Sequence, residues 1–256
     1  VKGSFGPDVT ALQRRLTDLG FATGPADGTY GAITQQAVWA YRKVALGSTP
    51  DSLLHSDTAS RVDEPMWQAM QAPLDLQPRR PQGPGTRHVE IVLPLQVLMV
   101  FVDDRPAVIS HISSGNGERW CETLHYDTDE QGRPLAEVVQ RAECGISKTP
   151  GGVFRVSRKV AGKRTGPLGG MDDPVYFNYG IAIHGAKNVP LERASHGCIR
   201  VNTTVADTIA GLVDVGDRVF VWGDDGREPE QYSRAESLPV FNFPDPSATP
   251  NSTTGG

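Results

Sequence analysis

The run PLDLQPRRPQGPGTR, residues 73–87, constrains this chain more than any other stretch. It holds four prolines and two glycines and no apolar period. Proline fixes φ and removes a backbone donor, so neither a helix nor an interior strand continues through such a run. It reads as a linker or a semi-rigid strap. The 256 residues therefore fall into two parts with different hydrophobic periods.

The part before the strap, 1–72, is helical by period. Val9, Leu12, Leu16 and Leu19 recur at helical spacing, and Gly20 marks a C-terminal stop. After the turn cluster GPADGTYG (24–31), Ile33, Ala37, Ala40, Tyr41 and Val44 mark a second amphipathic helix. Asp63, Glu64 and Pro65 open a third, short one carrying Met66, Trp67 and Met70. A small three-helix module is expected.

From His88 the texture changes to strands. HVEIVL and LQVLMVFVD come first, then a turn at Asp103–Asp104, then AVISHIS. The run LQVLMVFV is apolar on both faces, which predicts a central strand. VFRVSRKV (153–160), PVYFNYGIAIH (174–184) and RVFVW (218–222) are further strand candidates. One main helix interrupts them, with Asn202 as N-cap and Val205, Ile209 and Leu212 on one face. The expected architecture is multidomain: the helical module, the strap 73–87, and a mostly-β, β-sandwich-like domain over 88–224. The polar, Pro-rich tail 225–256 is expected to be flexible, above all at its end.

A formal net charge of −5 argues against nucleic acid held by bulk charge. The longest apolar run, IVLPLQVLMVFV (91–102), is too short to span a bilayer and contains Pro94. No targeting segment is present, and Val1 reads as a processed or trimmed boundary, which leaves the missing N-terminus open.

Three cysteines make an odd count. Pairing Cys121 with Cys144 would close a loop of roughly 20 residues, stabilise by about 3 kcal/mol and imply an oxidising compartment. The alternative is two unrelated free thiols. Cys198 stands apart in ASHGCIRVN (194–202), with His196 two residues before it, His184 at the end of a strand upstream, and Arg200 just after. A thiol at neutral pH needs a base or a cation to become a good nucleophile, and a histidine can supply the base. Gly197 removes a side chain beside the sulfur, so a carbonyl could reach the Gly197 and Cys198 amides as an oxyanion site. Gly185 leaves room on the opposite wall. A zinc site built from His184, His196 and Cys198 lacks a fourth ligand nearby. An inert buried thiol leaves the histidines and glycines unexplained. A catalytic Cys–His pair accounts for them together, with no metal or organic cofactor.

IHGAKNVPLERASHGCIRV resembles the signature of the L,D-transpeptidase family with the YkuD-type catalytic domain. DPVYFNYGIAIHG, SKTPGGVFRV, the strand pair at 88–112 and RVFVW resemble its flanking segments, so the resemblance covers about 88–223. DVTALQRRLTDLGF, DGTYG, TQQAVWAYRK and VDEPMWQAM independently resemble a peptidoglycan-binding domain.

The family resemblance implies Cys198 as acylated nucleophile and His184 as base, with the Gly185 carbonyl orienting the imidazole. It implies an oxyanion site around Gly197–Cys198, and Ser195 and His196 shaping the loop. Arg200 would anchor either a stem-peptide carboxylate or the loop itself. Tyr176 and Met171 would line an acyl-donor cleft under a flap (162–173), and Ser195 is grouped with these substrate-facing residues.

The implied reaction is acyl transfer between peptidoglycan stem peptides, forming 3→3 cross-links with release of D-alanine, outside the cytoplasm. Carbapenem-type β-lactams would be covalent inhibitors. No nucleic-acid partner is implied, and a monomer is expected. An L,D-carboxypeptidase is the enzymatic alternative, and a non-catalytic wall-binding protein the remaining one. One departure stands out: the segment 118–146, carrying Cys121, His125, Tyr126, the acidic DTDE run and Cys144, is inserted between ISSGNG and KTPGGVF. A solvated hairpin or helical excursion is expected there, or one that borders the cleft.

Overall fold

The computed structural model describes residues 1–128, 133–166 and 168–242. Its N-terminal module contains α1 (Pro7–Asp18), α2 (Ala32–Ala45), α3 (Pro50–Leu54) and α4 (Glu64–Met70). Val9, Leu12, Leu16 and Leu19 are buried as their spacing requires, and Gly20 follows at φ 88°. Asp63 caps α4 by accepting from the Met66 amide at 3.1 Å. The five-residue α3 is additional to the three expected helices. It has no apolar period to announce it, and a Thr49/Ser52 capping box starts it.

The strands are β1 (Arg87–Val92), β2 (Val97–Val102), β3 (Arg105–His111), β4 (Arg119–Thr128), β5 (Pro134–Ile146), β6 (Gly152–Arg155) and β7 (Arg158–Lys159). They continue with β8 (Lys163–Gly166), β9 (Gly169–Asn178), β10 (Ile181–Gly185) and β11 (Ile199–Val201); after α5 (Thr203–Leu212) come β12 (Arg218–Trp222) and β13 (Phe241–Asn242). One five-stranded sheet runs β3-β2-β1-β12-β6. A second runs β11-β10-β9-β7, with β8 also on β9. A small third sheet is β13-β5-β4.

Strand alternation explains how the layers stack. Val89 and Ile91, Leu98 and Val100, and Val219 and Val221 point one way, into a core shared with Val175, Ile183, Ile199 and Ile209. Met99, Phe101, Phe220 and Trp222 point the other way, into a core shared with Leu12, Leu16, Tyr41 and Met70 of the helical module. The first sheet is therefore covered on both faces, by the second sheet with α5 and by the helices. β2 lies inside the sheet, as its two-sided apolarity predicts. Asp103 and Asp104, at φ 53° and 57°, make the tight turn into β3.

Three expectations are corrected. VFRVSRKV is not one strand: β6 pairs with β12 and β7 with β9, so the chain changes sheets between them. PVYFNYGIAIH is a hairpin, because Tyr179 turns the chain at φ 50° before Gly180 and apolar alternation continues on both sides. The tail is not free through Asn242. Trp222 Nε1 donates to Glu228, Arg80 bridges Glu228 and Glu230, and β13 pairs with β5. Residues 243–256 lie outside the described residues. The strap is anchored too, with the Arg79 and Arg80 amides donating to the buried Glu90 carboxylate at 3.1 and 2.7 Å. The insertion forms the β4–β5 hairpin, with Cys121 and Cys144 directly paired across the strands and disulfide-bonded. The end of its acidic run, at 129–130, lies outside the described residues.

Because the helices and the first sheet share one core, they should unfold together. Urea transitions followed by tryptophan fluorescence and by far-UV circular dichroism should coincide, and Phe101→Ala should shift both, destabilising by about 3–5 kcal/mol. Two separate transitions would show that the module folds independently.

Candidate active site

Parallel pairing of β10 with β11 sets His184 opposite Arg200 and Ile183 opposite Ile199. One step back along β11 brings Cys198 beside Ala182. Tyr176 pairs with Ala182 on the other side, and Arg158 with Tyr176. In-register neighbours share a sheet face, and so do residues two apart on a strand. Arg158, Tyr176, Ala182 and Cys198 thus form a row across one face, with His184 and Arg200 as the next row. The thiol and the imidazole sit diagonally on adjacent strands.

Cys198 is the free cysteine among the described residues and is half-buried. Its Sγ lies 3.7 Å from the Gly180 carbonyl. Burial pushes the thiol above its ordinary value, while the Ala182 backbone and the Arg200 charge pull the other way. His184 is buried, and its Nδ1 lies 2.9 Å from the Gly185 carbonyl oxygen. A carbonyl only accepts, so Nδ1 carries the proton and Nε2 keeps the lone pair. Burial holds the imidazole below its ordinary value, partly offset by that hydrogen bond; Arg200 lowers it further and Asp172 opposes. Both shifts favour the neutral forms, a thiol and an imidazole whose Nε2 can accept a proton.

The glycines do different work from that expected. A Cβ on Gly185 would lie 2.9 Å from Thr203 Cα and 3.0 Å from Asp172 Cβ. The space beside it is filled by the start of α5 and by β9, not left for substrate. Gly197 adopts φ +132°, a conformation L side chains rarely take, and its carbonyl accepts from Thr149 Oγ1 at 2.6 Å. Its amide donates to Ser195 Oγ at 3.0 Å, which leaves the Cys198 amide as the oxyanion candidate of the two. Ser195 Oγ also donates to the Cys198 carbonyl at 2.6 Å, and Ser195 is buried. It braces the turn, because both of its side-chain bonds are internal to the loop.

His196 faces away from the His184 row. Its Nε2 is 3.3 Å from Glu122, and its ring meets Trp120 edge-on at 5.4 Å between centroids. The root of the inserted hairpin therefore rests on the SHGC turn, while His125 farther along is exposed. Arg200 makes no ion pair among the described residues, and its backbone pairs with Ser113 at 3.0 Å in each direction. Met171 lies on β9 opposite Arg164, in the β8–β9 hairpin that forms the flap. Pro167 within that flap lies outside the described residues.

Tyr176 is more deeply set than a cleft-lining residue need be. Arg158 lies over its ring at 4.0 Å and Arg164 donates to its hydroxyl at 2.9 Å. Burial raises its hydroxyl above the ordinary value, and the two arginines oppose this. Neither arginine was visible as a site residue, because β7 and β8 are too short to show a period. Thr149 was also missed, although it lies in the KTPGGVF segment.

A family model described as the L,D-transpeptidase catalytic domain matches residues 86–221. The chain belongs to this family. A second model, for a peptidoglycan binding domain, matches residues 5–44. A solved L,D-transpeptidase from Xylanimonas cellulosilytica is 34% identical over 86% of this chain and 96% of that one, with a TM-score of 0.65. An L,D-transpeptidase from Stackebrandtia nassauensis is 17% identical over 87% of this chain and 94% of that one, with a TM-score of 0.42. No curated protein matches. Among the described residues, no helix is long and apolar enough to cross a membrane.

The depressed His184 predicts how this L,D-transpeptidase domain responds to pH. The imidazole stays neutral until the pH falls below its lowered value, under the ordinary 6.5. With His184 as the base, carbapenem acylation should fall at low pH with its midpoint below 6.5, losing about tenfold per unit beneath it. A fall centred at or above pH 6.5 would contradict the assignment.

Proposed function

We propose that the protein forms 3→3 cross-links between peptidoglycan stem peptides through a thioester on Cys198. The observation that carries this reading is the Nδ1–H bond from His184 to the Gly185 carbonyl. It leaves Nε2 as the accepting nitrogen, on the sheet face that carries the free thiol. His184 takes the thiol proton as Cys198 attacks the carbonyl at the L-centre of the third residue of a tetrapeptide. The oxyanion is held by the Cys198 amide. Collapse breaks the bond to the terminal D-alanine, whose amine leaves with the proton from His184. The side-chain amine of an acceptor stem then attacks the thioester, and His184 accepts a proton from it as the thiolate departs.

Arg200 supplies a cation beside both reacting groups and pairs with a stem-peptide carboxylate. Tyr176 and Met171 bound the donor cleft from the β9 side. The helical module holds the glycan to which the stems are attached. Such a substrate, together with the disulfide, supports a location outside the cytoplasm, and carbapenems would acylate Cys198 covalently.

Water in place of the acceptor amine would make the same residues an L,D-carboxypeptidase. The half-open setting of Cys198 keeps that second reading in view.

Intact-mass spectrometry should find one carbapenem adduct per chain, absent in Cys198→Ala; an adduct surviving that substitution sinks the nucleophile. Incubation with disaccharide-tetrapeptide should yield a cross-linked dimer. Tripeptide monomer alone would establish the carboxypeptidase instead.

A further inference from the structure

Lys43 lies in the last turn of α2 and is 2% exposed. Among the described residues no carboxylate pairs with it, although a buried ammonium is costly without compensation. Its Nζ donates to two acceptors across the boundary between the helices and the β domain, the Gln96 carbonyl at 2.6 Å and His111 Nδ1 at 2.7 Å. His111 is itself fully buried, and its Nε2 lies 2.8 Å from the Pro190 carbonyl. That carbonyl can only accept, so Nε2 carries the proton and Nδ1 receives the lysine.

Both arms of Lys43 end on the loop that leads from β10 to Cys198. The first runs through His111 to Pro190. The second runs through Gln96, whose side chain accepts from the Ser114 amide at 2.9 Å and donates to Ser114 Oγ at 2.9 Å. The Ser114 carbonyl then accepts from the Ala194 and Ser195 amides at 3.1 and 3.0 Å. Ser195 in turn fixes the Gly197 amide and the Cys198 carbonyl.

The rest of the same helical face reinforces these arms. Gln36 donates to the Val189 carbonyl at 3.3 Å, and Trp39 meets the His111 ring edge-on at 5.2 Å. Leu191 packs with Leu53, Ala59 and Trp39. An apolar residue at position 43 would fill the space, but only a long donor satisfies both acceptors.

We infer that Lys43 is a positioning residue for the reaction at Cys198, acting through His111 and Gln96 to hold loop 186–197. The helical module is thereby part of the catalytic apparatus as well as a wall-binding element. The inference rests on Cys198 being the nucleophile.

The test uses the full chain, with Lys43→Met, His111→Phe and the double variant, at 25 °C. Carbapenem acylation of Cys198 is measured by intact mass per folded molecule, with the folded fraction from circular dichroism. Acylation by Lys43→Met should be at least about tenfold slower, the scale set by small misplacements of reacting groups. KM for the tetrapeptide should move by less than about threefold, since the donor cleft is left in place. The double variant should be no slower than the slower single, as expected for residues acting in one chain of contacts.

A lowered Tm with an unchanged rate per folded molecule would overturn the inference and leave Lys43 a purely structural residue. Should Lys43→Met fail to fold, Gln36→Met is read in the same assay. A severalfold loss of rate supports the positioning role, and no loss overturns it. Absence of any adduct in the wild type would fail the nucleophile reading, and this inference with it; an adduct formed equally fast in Lys43→Met fails this inference alone.

Discussion

The first β-sheet has two apolar faces, and neither can be left to water. Val89, Val100 and Val221 on one side and Met99, Phe101 and Phe220 on the other alternate along the same strands. Burying the first set requires the second sheet and α5. Burying the other requires the N-terminal helices. At about 25 cal/mol per Å² of apolar surface, exposing several large side chains would cost more than a domain of this size has to spare. The two modules are therefore continuous through a common core, and the strap only carries the chain between them. That continuity is what allows a helix near the N-terminus to reach the loop carrying the thiol.

Sequence made some of this visible and concealed the rest for identifiable reasons. The long periodic elements were legible: α1, α2 and the two-faced strand β2 follow from spacing alone. So was the cap at Asn202, which accepts from the Thr204 amide at 3.1 Å. Joins between strands were not, because alternation continues unbroken through Tyr179 and through the change of sheets between β6 and β7. The tail looked mobile because its composition is polar. Its anchoring depends on Arg80, 148 residues from Glu228 in sequence, and on Trp222 in the strand just before it.

The candidate site divides the same way. Cys198, His184 and Gly185 lie in one motif whose chemistry can be read directly. What holds them is scattered: Thr149 on the Gly197 carbonyl, Trp120 and Glu122 against His196, Arg158 and Arg164 about Tyr176. None of these has a periodic or spacing signal, since each contact joins elements brought together only by the sheets. Ser195 shows the opposite error. A serine beside a candidate nucleophile reads as substrate-facing, yet its single hydroxyl proton is committed to the Cys198 carbonyl and it also accepts from the Gly197 amide in its own turn.

In the proposed mechanism, electrostatics keep the resting pair uncharged. Burial opposes charge on both members of the pair, raising the thiol and lowering the imidazole. A thiolate–imidazolium pair at rest would need strong compensation, and Arg200 stabilises the thiolate while disfavouring the imidazolium. In the proposed mechanism, burial of both groups therefore works against proton transfer in the resting site. Transfer becomes favourable only when a new bond consumes the thiolate as it forms. The site thus relies on the placement of sulfur, imidazole and oxyanion donor more than on a preformed nucleophile. Placement in turn depends on how rigidly the turn from Ser195 to Cys198 is held. A reactive group made by geometry needs supports on every side, which gives a physical reason for a buried lysine to be set beneath this loop.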